Sequence, residues 1–185
     1  PMKTLDGESH FCEVFLDGAR VPVTNRVGEE NDGWRVTNVT LRFERGTAFA
    51  GHIITLRAQL RRIVALAGDL GDRPDLCRHV GRLDARVEAL WAMTQRCVTE
   101  AEATGLPSPL GSALKLGYSE LGQEIARLGM ALLGRRAIGT DGNDSEDARI
   151  VHDYLWSFQY TIAAGTSQIQ RNLIGERILG LPKGR

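Results

Sequence analysis

Residues 32–67 read DGWRVTNVTLRFERGTAFAGHIITLRAQLRRIVALA, a long stretch with the apolar spacing of a helix. Its apolar side chains recur with the 3.6-residue period of one helix face. They are Val36, Val39, Phe43, Ala50, Ile53, Ile54, Ile63 and Val64. At about 1.5 Å per residue the helix would be roughly 50 Å long, which is typical of a large bundle. We therefore predict a long first helix, with Asn31 as its N-cap and Asp32 in its first turn.

One residue of this predicted helix, Glu44, does not fit the pattern. The other members of its helical stripe are small or apolar; they are Thr37, Leu41, Ala48, Gly51 and Thr55. The Glu44-Arg45 pair is either a solvated pair at the rim of the buried face or it faces a molecule that needs a base. Small residues one and two turns further on would let another molecule approach. A partly buried carboxylate can then act as a general base near neutral pH.

The rest of the chain continues with helical periodicity, interrupted by short polar or glycine-containing breaks. The further predicted helices run over 72–104, 108–134, 144–163 and 167–179. We expect Asp144 to begin the fourth helix, with Phe158 and Ile162 among its inward-facing residues. Ser167 and Gln170 have the spacing of a capping box for the last helix. The predicted fold is all-α: an up-and-down four-helix bundle with a short extra C-terminal helix.

Residues 1–31 differ from the rest. The run 10–23 is rich in β-forming residues, alternates in part, and carries a turn at Asp17-Gly18. Two short strands cannot form an independent domain. We therefore predict a short N-terminal β segment, the trailing edge of a sheet.

Composition and charge exclude several functions. The chain has 23 Lys and Arg against 23 Asp and Glu, spread along its length, so a nucleic acid is a poor partner. No apolar run approaches the roughly 18 residues of a membrane span. The first ten residues are polar, so no signal peptide is predicted and a cytoplasmic location is expected. The three cysteines and four histidines lack metal-binding spacing, so no metal site is predicted.

The sequence Ala164-Gly165-Thr166-Ser167-Gln168 lies where one predicted helix ends and the next begins. Backbone N–H groups and hydroxyls at a helix N-terminus suit an anion or the polar edge of a nucleotide cofactor. Every helix start has such groups, so a plain interhelical corner is the alternative.

Three motifs together resemble the acyl-CoA dehydrogenases. Residues 165–172, GTSQIQRN, look like the C-terminal G-T-S-E/Q-I-Q-R signature of that family. Residues 28–34, GEENDGW, with FERG at 43–46, look like the run that enters the C-terminal helical bundle. Residues 15–22, FLDGARVP, resemble the end of the middle β-domain. The motifs stand in the family's order, and the resemblance covers essentially the whole chain.

The resemblance implies a domain organisation. Residues 1–31 would be the remnant of the middle β-domain and a linker, and residues 32–185 the C-terminal four-helix-bundle domain. Family members bind FAD between these two domains and assemble as dimers or tetramers through the bundle. The implied partners are an acyl-CoA substrate, an electron-transfer flavoprotein or similar acceptor, and a homo- or hetero-oligomer. The FAD site would be incomplete in this chain, which we expect to be inactive alone.

The family reaction is α,β-dehydrogenation of an acyl-CoA thioester, in which a carboxylate removes the α-proton and the β-hydrogen leaves as hydride to the flavin. Many members carry the catalytic Glu immediately before the Gly-Thr of the signature. This chain has Ala164 there, and a methyl group cannot take a proton. Some members place the base on the first bundle helix, immediately before an Arg, which matches Glu44-Arg45. Glu44 is therefore the predicted general base, while the backbone N–H of Ala164 can still bind the thioester carbonyl.

The resemblance also implies binding residues and two alternatives. The substrate-binding positions are Arg42, Phe43, Arg45 and Gly165. The positions that match FAD contacts are Thr166, Ser167, Gln168 and Gly134. An Arg-x-x-Phe-Gly segment, with which many members contact the neighbour's FAD, is replaced by residues 72–75, DRPD. The alternatives are a non-catalytic partner subunit of a hetero-oligomeric dehydrogenase, favoured by Ala164, and a helical oligomerisation module.

Overall fold

The computed structural model describes residues 1–43, 49–139 and 145–183, apart from the side chains of Arg42 and Phe43. The chain forms two compact units, Pro1–Glu44 and Arg45–Arg185.

The first unit contains no strand among its described residues. Met2 and Phe11 form an isolated antiparallel bridge, in which the Met2 N–H donates to the Phe11 carbonyl at 2.7 Å. The chain bends at Asp17-Gly18, where Gly18 has a φ of +60°. The predicted turn is therefore present but its flanking strands are not, because two short β-rich runs without further strands do not hold a ladder. A 3₁₀ turn follows at Val23–Asn25.

Helix α1 spans Gly33–Phe43 and begins later than the sequence predicts. Asn31 is not its N-cap, since it lies in a turn with a φ of +65°. The Asp32 carbonyl accepts from the Val36 N–H at 3.2 Å, and its carboxylate accepts from Arg35 Nε at 2.6 Å. The continuity of the predicted helix over 32–67 depends on residues 44–48, which lie outside the described residues.

The second unit is helical throughout its regular structure, so the all-α prediction is confirmed. Its α-helices follow in order; they are α2 (Phe49–Ala67), α3 (Pro74–Thr104), α4 (Gly111–Leu133), α5 (Glu146–Ser157) and α6 (Ser167–Leu173). The chain tightens into 3₁₀ turns at Gly134–Gly139 and Phe158–Thr161, and it widens into a π turn at Ile174–Ile178. Successive helices α2 to α5 pack on one another, as an up-and-down bundle predicts.

Helix α4 is the centre of the bundle, because it packs against α2, α3, α5 and α6. Its buried apolar residues follow the helical period and include Leu114, Leu121, Ile125 and Leu128. Two glycines allow its neighbours to come close. A Cβ at Gly122 would lie 2.7 Å from the Tyr160 ring, and one at Gly129 would lie 2.8 Å from Ile150.

Several predicted details are wrong in the second unit. Helix α5 begins after Ser145, whose side chain accepts from the Ala148 N–H, while the expected start, Asp144, lies outside the described residues. The α-helix ends at Ser157 and continues as a 3₁₀ turn with a different residue period. Phe158 and Ile162 consequently leave the inward face and are 38% and 66% exposed.

Two residues of the first predicted helix do not face inward as predicted. Val39 of α1 and Ile54 of α2 are exposed. The buried face of α2 instead contains residues spaced three or four apart: Phe49, Ile53, Leu56, Leu60 and Ile63.

Candidate functional site

The loop between the 3₁₀ turn and α6, residues 162–166, has an unusual backbone. Ala164 and Gly165 have φ angles of +53° and +90°, in the region that favours glycine. A Cβ at Gly165 would lie 2.7 Å from Nε2 of Gln170. Glycine is therefore required at 165 both by its φ and by this close approach.

Helix α6 is capped by Thr166 rather than by the predicted Ser167. The Thr166 hydroxyl accepts from the Ile169 N–H at 3.3 Å. Gln170 does not form a capping box; instead its Nε2 donates back to the Ala164 carbonyl at 2.9 Å. The first turn of α6 therefore holds the loop that precedes it.

Lys115 of α4 holds the same loop from inside the bundle. This side chain is only 2% exposed, and its Nζ donates to the carbonyls of Tyr160 at 2.9 Å and Gly165 at 2.6 Å. Removing an ammonium group from water costs several kcal/mol unless hydrogen bonds compensate. Sequence reasoning missed Lys115, although its position beside Leu114 and one turn before Ser119, on the apolar face of α4, was a visible signal.

A second clamp from α4 holds the end of the 3₁₀ turn. Nε2 of Gln123 donates to the Thr161 hydroxyl at 3.0 Å and the Ser157 carbonyl at 3.3 Å. Arg127 in turn donates to the Gln123 side-chain oxygen at 2.9 Å. Polar side chains of α4 and α6 thus fix both ends of the loop.

Aromatic side chains connect this region to the start of α2. Tyr118 lies between His52, with ring centroids 5.0 Å apart, and Tyr160, at 4.9 Å; Phe49 is 5.9 Å away. Burial raises the pKa of both tyrosines above the ordinary value, and burial lowers the pKa of His52. The three groups are therefore neutral near pH 7, so this cluster contributes packing and hydrogen bonds rather than charge.

An open cavity of about 680 Å³ lies beside the start of α6. Three of the residues predicted to contact FAD line it together: Thr166, Ser167 and Gln168. Five charged side chains also line the cavity. Four of them form two ion pairs, Arg86 with Glu124 and Arg171 with Glu120, and the fifth is Arg127. Sequence reasoning missed these charged residues, since they come from α3, α4 and α6 and meet only in the fold.

Ser167 has a feature that suits a ligand. It is 5% exposed, and its hydroxyl has no hydrogen-bond partner among the described residues. A buried hydroxyl without a partner is costly unless something binds it. The fourth predicted FAD residue, Gly134, does not line this cavity; it ends α4, seven residues or about 10 Å beyond Arg127.

The predicted base and most of the predicted substrate residues remain untested. Glu44 and Arg45 lie outside the described residues, as do the side chains of Arg42 and Phe43. Of the Glu44 stripe, Gly51 and Thr55 are exposed, and nothing lies within 4 Å of a Cβ built on Gly51. In α2 this stripe is therefore open rather than part of the core.

The described residues lack two kinds of feature. None of their helices is long and apolar enough to cross a membrane. Within the same ranges, no group of three or more His, Cys, Asp or Glu side chains could hold a metal ion.

The fold and loop define a helical-bundle domain with a polar site at the start of its last helix. The family model "Acyl-CoA dehydrogenase, C-terminal domain" matches residues 31–179. The chain belongs to this family. The match begins at residue 31, next to the predicted domain boundary, whereas the structure divides at Glu44. The assignment of residues 1–31 to a β-domain stays a prediction.

Relatives and solved structures agree with this family. Acyl-CoA dehydrogenase IpdE1 of Mycobacterium tuberculosis is 34% identical over 186 residues, which cover 99% of this chain and 47% of that protein. Acyl-CoA dehydrogenase FadE34 of the same organism is 33% identical, covering 99% of this chain and 24% of that protein. The chain thus spans less than half the length of these relatives.

Two solved structures share the fold. A variant of the steroid acyl-CoA dehydrogenase Tcur3481-Tcur3483 has a TM-score of 0.76 and 25% identity, covering 92% of this chain and 46% of that one. The ChsE4-ChsE5 complex from Mycobacterium tuberculosis has a TM-score of 0.69 and 30% identity, covering 89% of this chain and 45% of that one.

Proposed function

We propose that this chain is the C-terminal bundle domain of an FAD-dependent dehydrogenase that introduces an α,β double bond into an acyl-CoA thioester. The observation that carries the proposal is the clamped loop 162–166, joined to a capped helix whose first residues line a polar cavity. The end of this loop and the helix that follows it contain residues 165–172, the stretch that resembles the family signature. One of the two similar structures is named a steroid acyl-CoA dehydrogenase, so a bulky acyl group is the first substrate to test.

The residues around the cavity fit part of an FAD site. Thr166, Ser167 and Gln168 present two hydroxyls and an amide, and the Ser167 hydroxyl is buried without a partner among the described residues. The lining has three arginines against two glutamates; since Arg86 and Arg171 are paired with Glu124 and Glu120, the remaining positive charge is that of Arg127, which suits a phosphate group. When bound, FAD would supply the acceptor for the β-hydrogen. Gly134 stays a predicted contact, outside this cavity.

Glu44 is the proposed general base. The only atom that Ala164 offers beyond its backbone is a methyl carbon, so the base must come from another position. Gly51 and Thr55 of the predicted stripe are exposed on α2, so these two positions would let a ligand approach that face of α2. Arg42, Phe43, Arg45 and Gly165 are the proposed substrate-binding residues.

The backbone of the loop is proposed to stabilise negative charge. An α-proton becomes acidic enough to remove only if the thioester carbonyl is hydrogen-bonded as enolate charge develops. The N–H of Ala164 is the proposed donor, because the change to Ala leaves the backbone unaltered. Preorganised donors of this type act without reorganising at the moment of reaction, which suits a loop held at both ends.

Flavin absorbance and acyl-CoA reduction test this function. The complete protein that contains this chain, purified with any chain that accompanies it, should show bound-flavin absorbance. Under anaerobic conditions that absorbance should bleach on adding an acyl-CoA and should not bleach with the corresponding 2-enoyl-CoA. A preparation reconstituted with FAD that binds none, or that no saturated acyl-CoA bleaches, would refute the proposal.

A second candidate is a partner subunit without its own active site. Ala164 favours it, and one of the similar structures is a complex of two differently named chains, ChsE4 and ChsE5. A partner subunit would co-purify with a second dehydrogenase-like chain that carries the base, and native mass spectrometry of the complex would detect that chain. In that complex, Glu44→Gln would leave turnover unchanged. An electron-transfer flavoprotein as acceptor and a cytoplasmic location also stay predictions.

A further inference from the structure

Lys115 is the buried charged group that the proposed reaction does not yet use. It lies on the inward face of α4, and its surroundings include the core residues Leu114 and Tyr118. An apolar side chain of similar volume would pack at such a place without placing a charge in the core. The hydrogen bonds that the ammonium makes are therefore the place to look for its role.

These hydrogen bonds close a small segment of backbone. Nζ donates to the carbonyls of Tyr160 and Gly165, which stand at the two ends of the segment 160–165. The Tyr160 ring is itself buried in the core beside Tyr118. Lys115 thus ties one end of this segment, Gly165, to Tyr160, whose ring is already fixed by packing.

The orientation of the carbonyls decides where the loop N–H groups point. In a trans peptide the C=O and the following N–H point in opposite directions, and no described peptide bond is cis. Lys115 holds the Gly165 carbonyl inward, so the Thr166 N–H points away from the ammonium. Gln170 holds the Ala164 carbonyl in the same way, so the Gly165 N–H points away from that amide.

We propose that Lys115 is the positioning residue of the proposed thioester site. Its ammonium holds the Gly165 carbonyl while Gln170 holds the Ala164 carbonyl, and together these contacts restrict the short backbone segment that carries the proposed donor, the Ala164 N–H. The inference rests on the proposed function and deepens it. Lys115 does not touch substrate or cofactor; it acts through the Gly165 carbonyl.

The test uses Lys115→Met in the complete protein, with Lys183→Met as the matched control, because Lys183 is exposed. Lys115→Met should lower kcat and kcat/KM together by about 100-fold, the effect of a small misplacement at a reacting centre. The dissociation constant for the acyl-CoA should change by less than about threefold, because most of the contacts to substrate are untouched. The control should match the wild type.

A spectroscopic readout separates positioning from a merely structural role. Infrared spectra of a bound acyl-CoA with a ¹³C-labelled thioester carbonyl report how strongly hydrogen bonds polarise that bond. The labelled band should shift to lower frequency on binding to the wild type, and Lys115→Met should lose most of that shift. Loss of folded protein alone would reduce the intensity of the band without moving it.

A second variant covers the case in which Lys115→Met does not fold. Lys115→Gln keeps an N–H donor but is too short to reach both carbonyls, so it should fold better and still lose most of the shift. A wild-type band position and kcat in whichever variant folds would overturn the inference. Failure of the wild type itself to oxidise any acyl-CoA would instead refute the proposed function, so the two failures are distinguishable.

Discussion

A single added methyl group should have opposite effects at two glycines of the bundle. Gly122 of α4 and Gly81 of α3 both lie inside helices, so alanine at either gains about 1 kcal/mol of helix propensity. A Cβ at Gly122, however, would lie 2.7 and 2.8 Å from two carbons of the Tyr160 ring and 3.2 Å from Leu56. At Gly81 nothing lies within 4 Å.

The clash at Gly122 cannot be relieved by rotating a flexible side-chain end. Tyr160 is a buried ring, and its own carbonyl is held by Lys115. Overpacking of this kind costs about 1–3 kcal/mol. Gly122→Ala should therefore be less stable than the wild type by up to about 2 kcal/mol, while Gly81→Ala should be more stable by about 1 kcal/mol.

Thermal and urea unfolding of the two variants measure this difference. The separation of about 1–3 kcal/mol corresponds to about 2–12 °C in Tm for a protein of this size. Gly117→Ala is a useful intermediate, because its Cβ would meet only the end of the Leu90 side chain, at 2.8 Å. If Gly122→Ala proved as stable as Gly81→Ala, the close packing of α4 on the Tyr160 ring would be refuted.

Two further predictions concern helix caps and pH. Thr166→Ala and Ser145→Ala should each lower the free energy of unfolding in urea by about 1 kcal/mol, because each removes an N-cap hydroxyl. Thr166→Ser keeps the hydroxyl and should lower it little. Equal stability of Thr166→Ala and Thr166→Ser would contradict the cap. Burial acts to raise the pKa of Glu124, but hydrogen bonds and charge from Arg86 and His79 hold it below the ordinary value. Its stabilising contribution is therefore present above about pH 4.3 and is lost as the pH falls through the lower folded pKa. Glu124→Gln should flatten the acid decline of stability, and an unchanged decline would contradict that ion pair.

The long-range pattern of the bundle was predictable because it depends on local periodicity. The inward face of α2 follows the helical period, and two residues predicted on it, Ile53 and Ile63, are buried. The end of α3 was also predictable, since the helix predicted to end at residue 104 ends there.

The features that could not be predicted from the sequence depend on geometry beyond one helix turn. Periodicity predicted that Phe158 and Ile162 face inward, but it does not report where an α-helix tightens into a 3₁₀ turn and changes phase. Periodicity also gave no reason to choose Thr166 over Ser167 as the N-cap. Both residue types are good N-caps, and both residues closely follow Gly165. The β-rich run 10–23 depends on pairing with other strands, which local propensity does not supply.

The candidate site was predictable only in part, for a similar reason. The positions of Thr166, Ser167 and Gln168 came from one continuous motif, and the three residues line one cavity. Lys115 and Gln123 reach the loop from residues about 40 to 50 positions earlier in the chain, so only the folded bundle brings them there. A polar residue on an apolar stripe is the signal by which such clamps can be found.

The most direct test of the account is the turnover of Glu44→Gln in the complete protein, with Glu102→Gln as the control because Glu102 is exposed on α3. Both variants are compared with the wild type for FAD content and for oxidation of an acyl-CoA with an artificial electron acceptor. If Glu44 is the base, Glu44→Gln keeps its FAD and loses turnover, while Glu102→Gln keeps both. Turnover retained by Glu44→Gln would contradict the assignment of the base to Glu44.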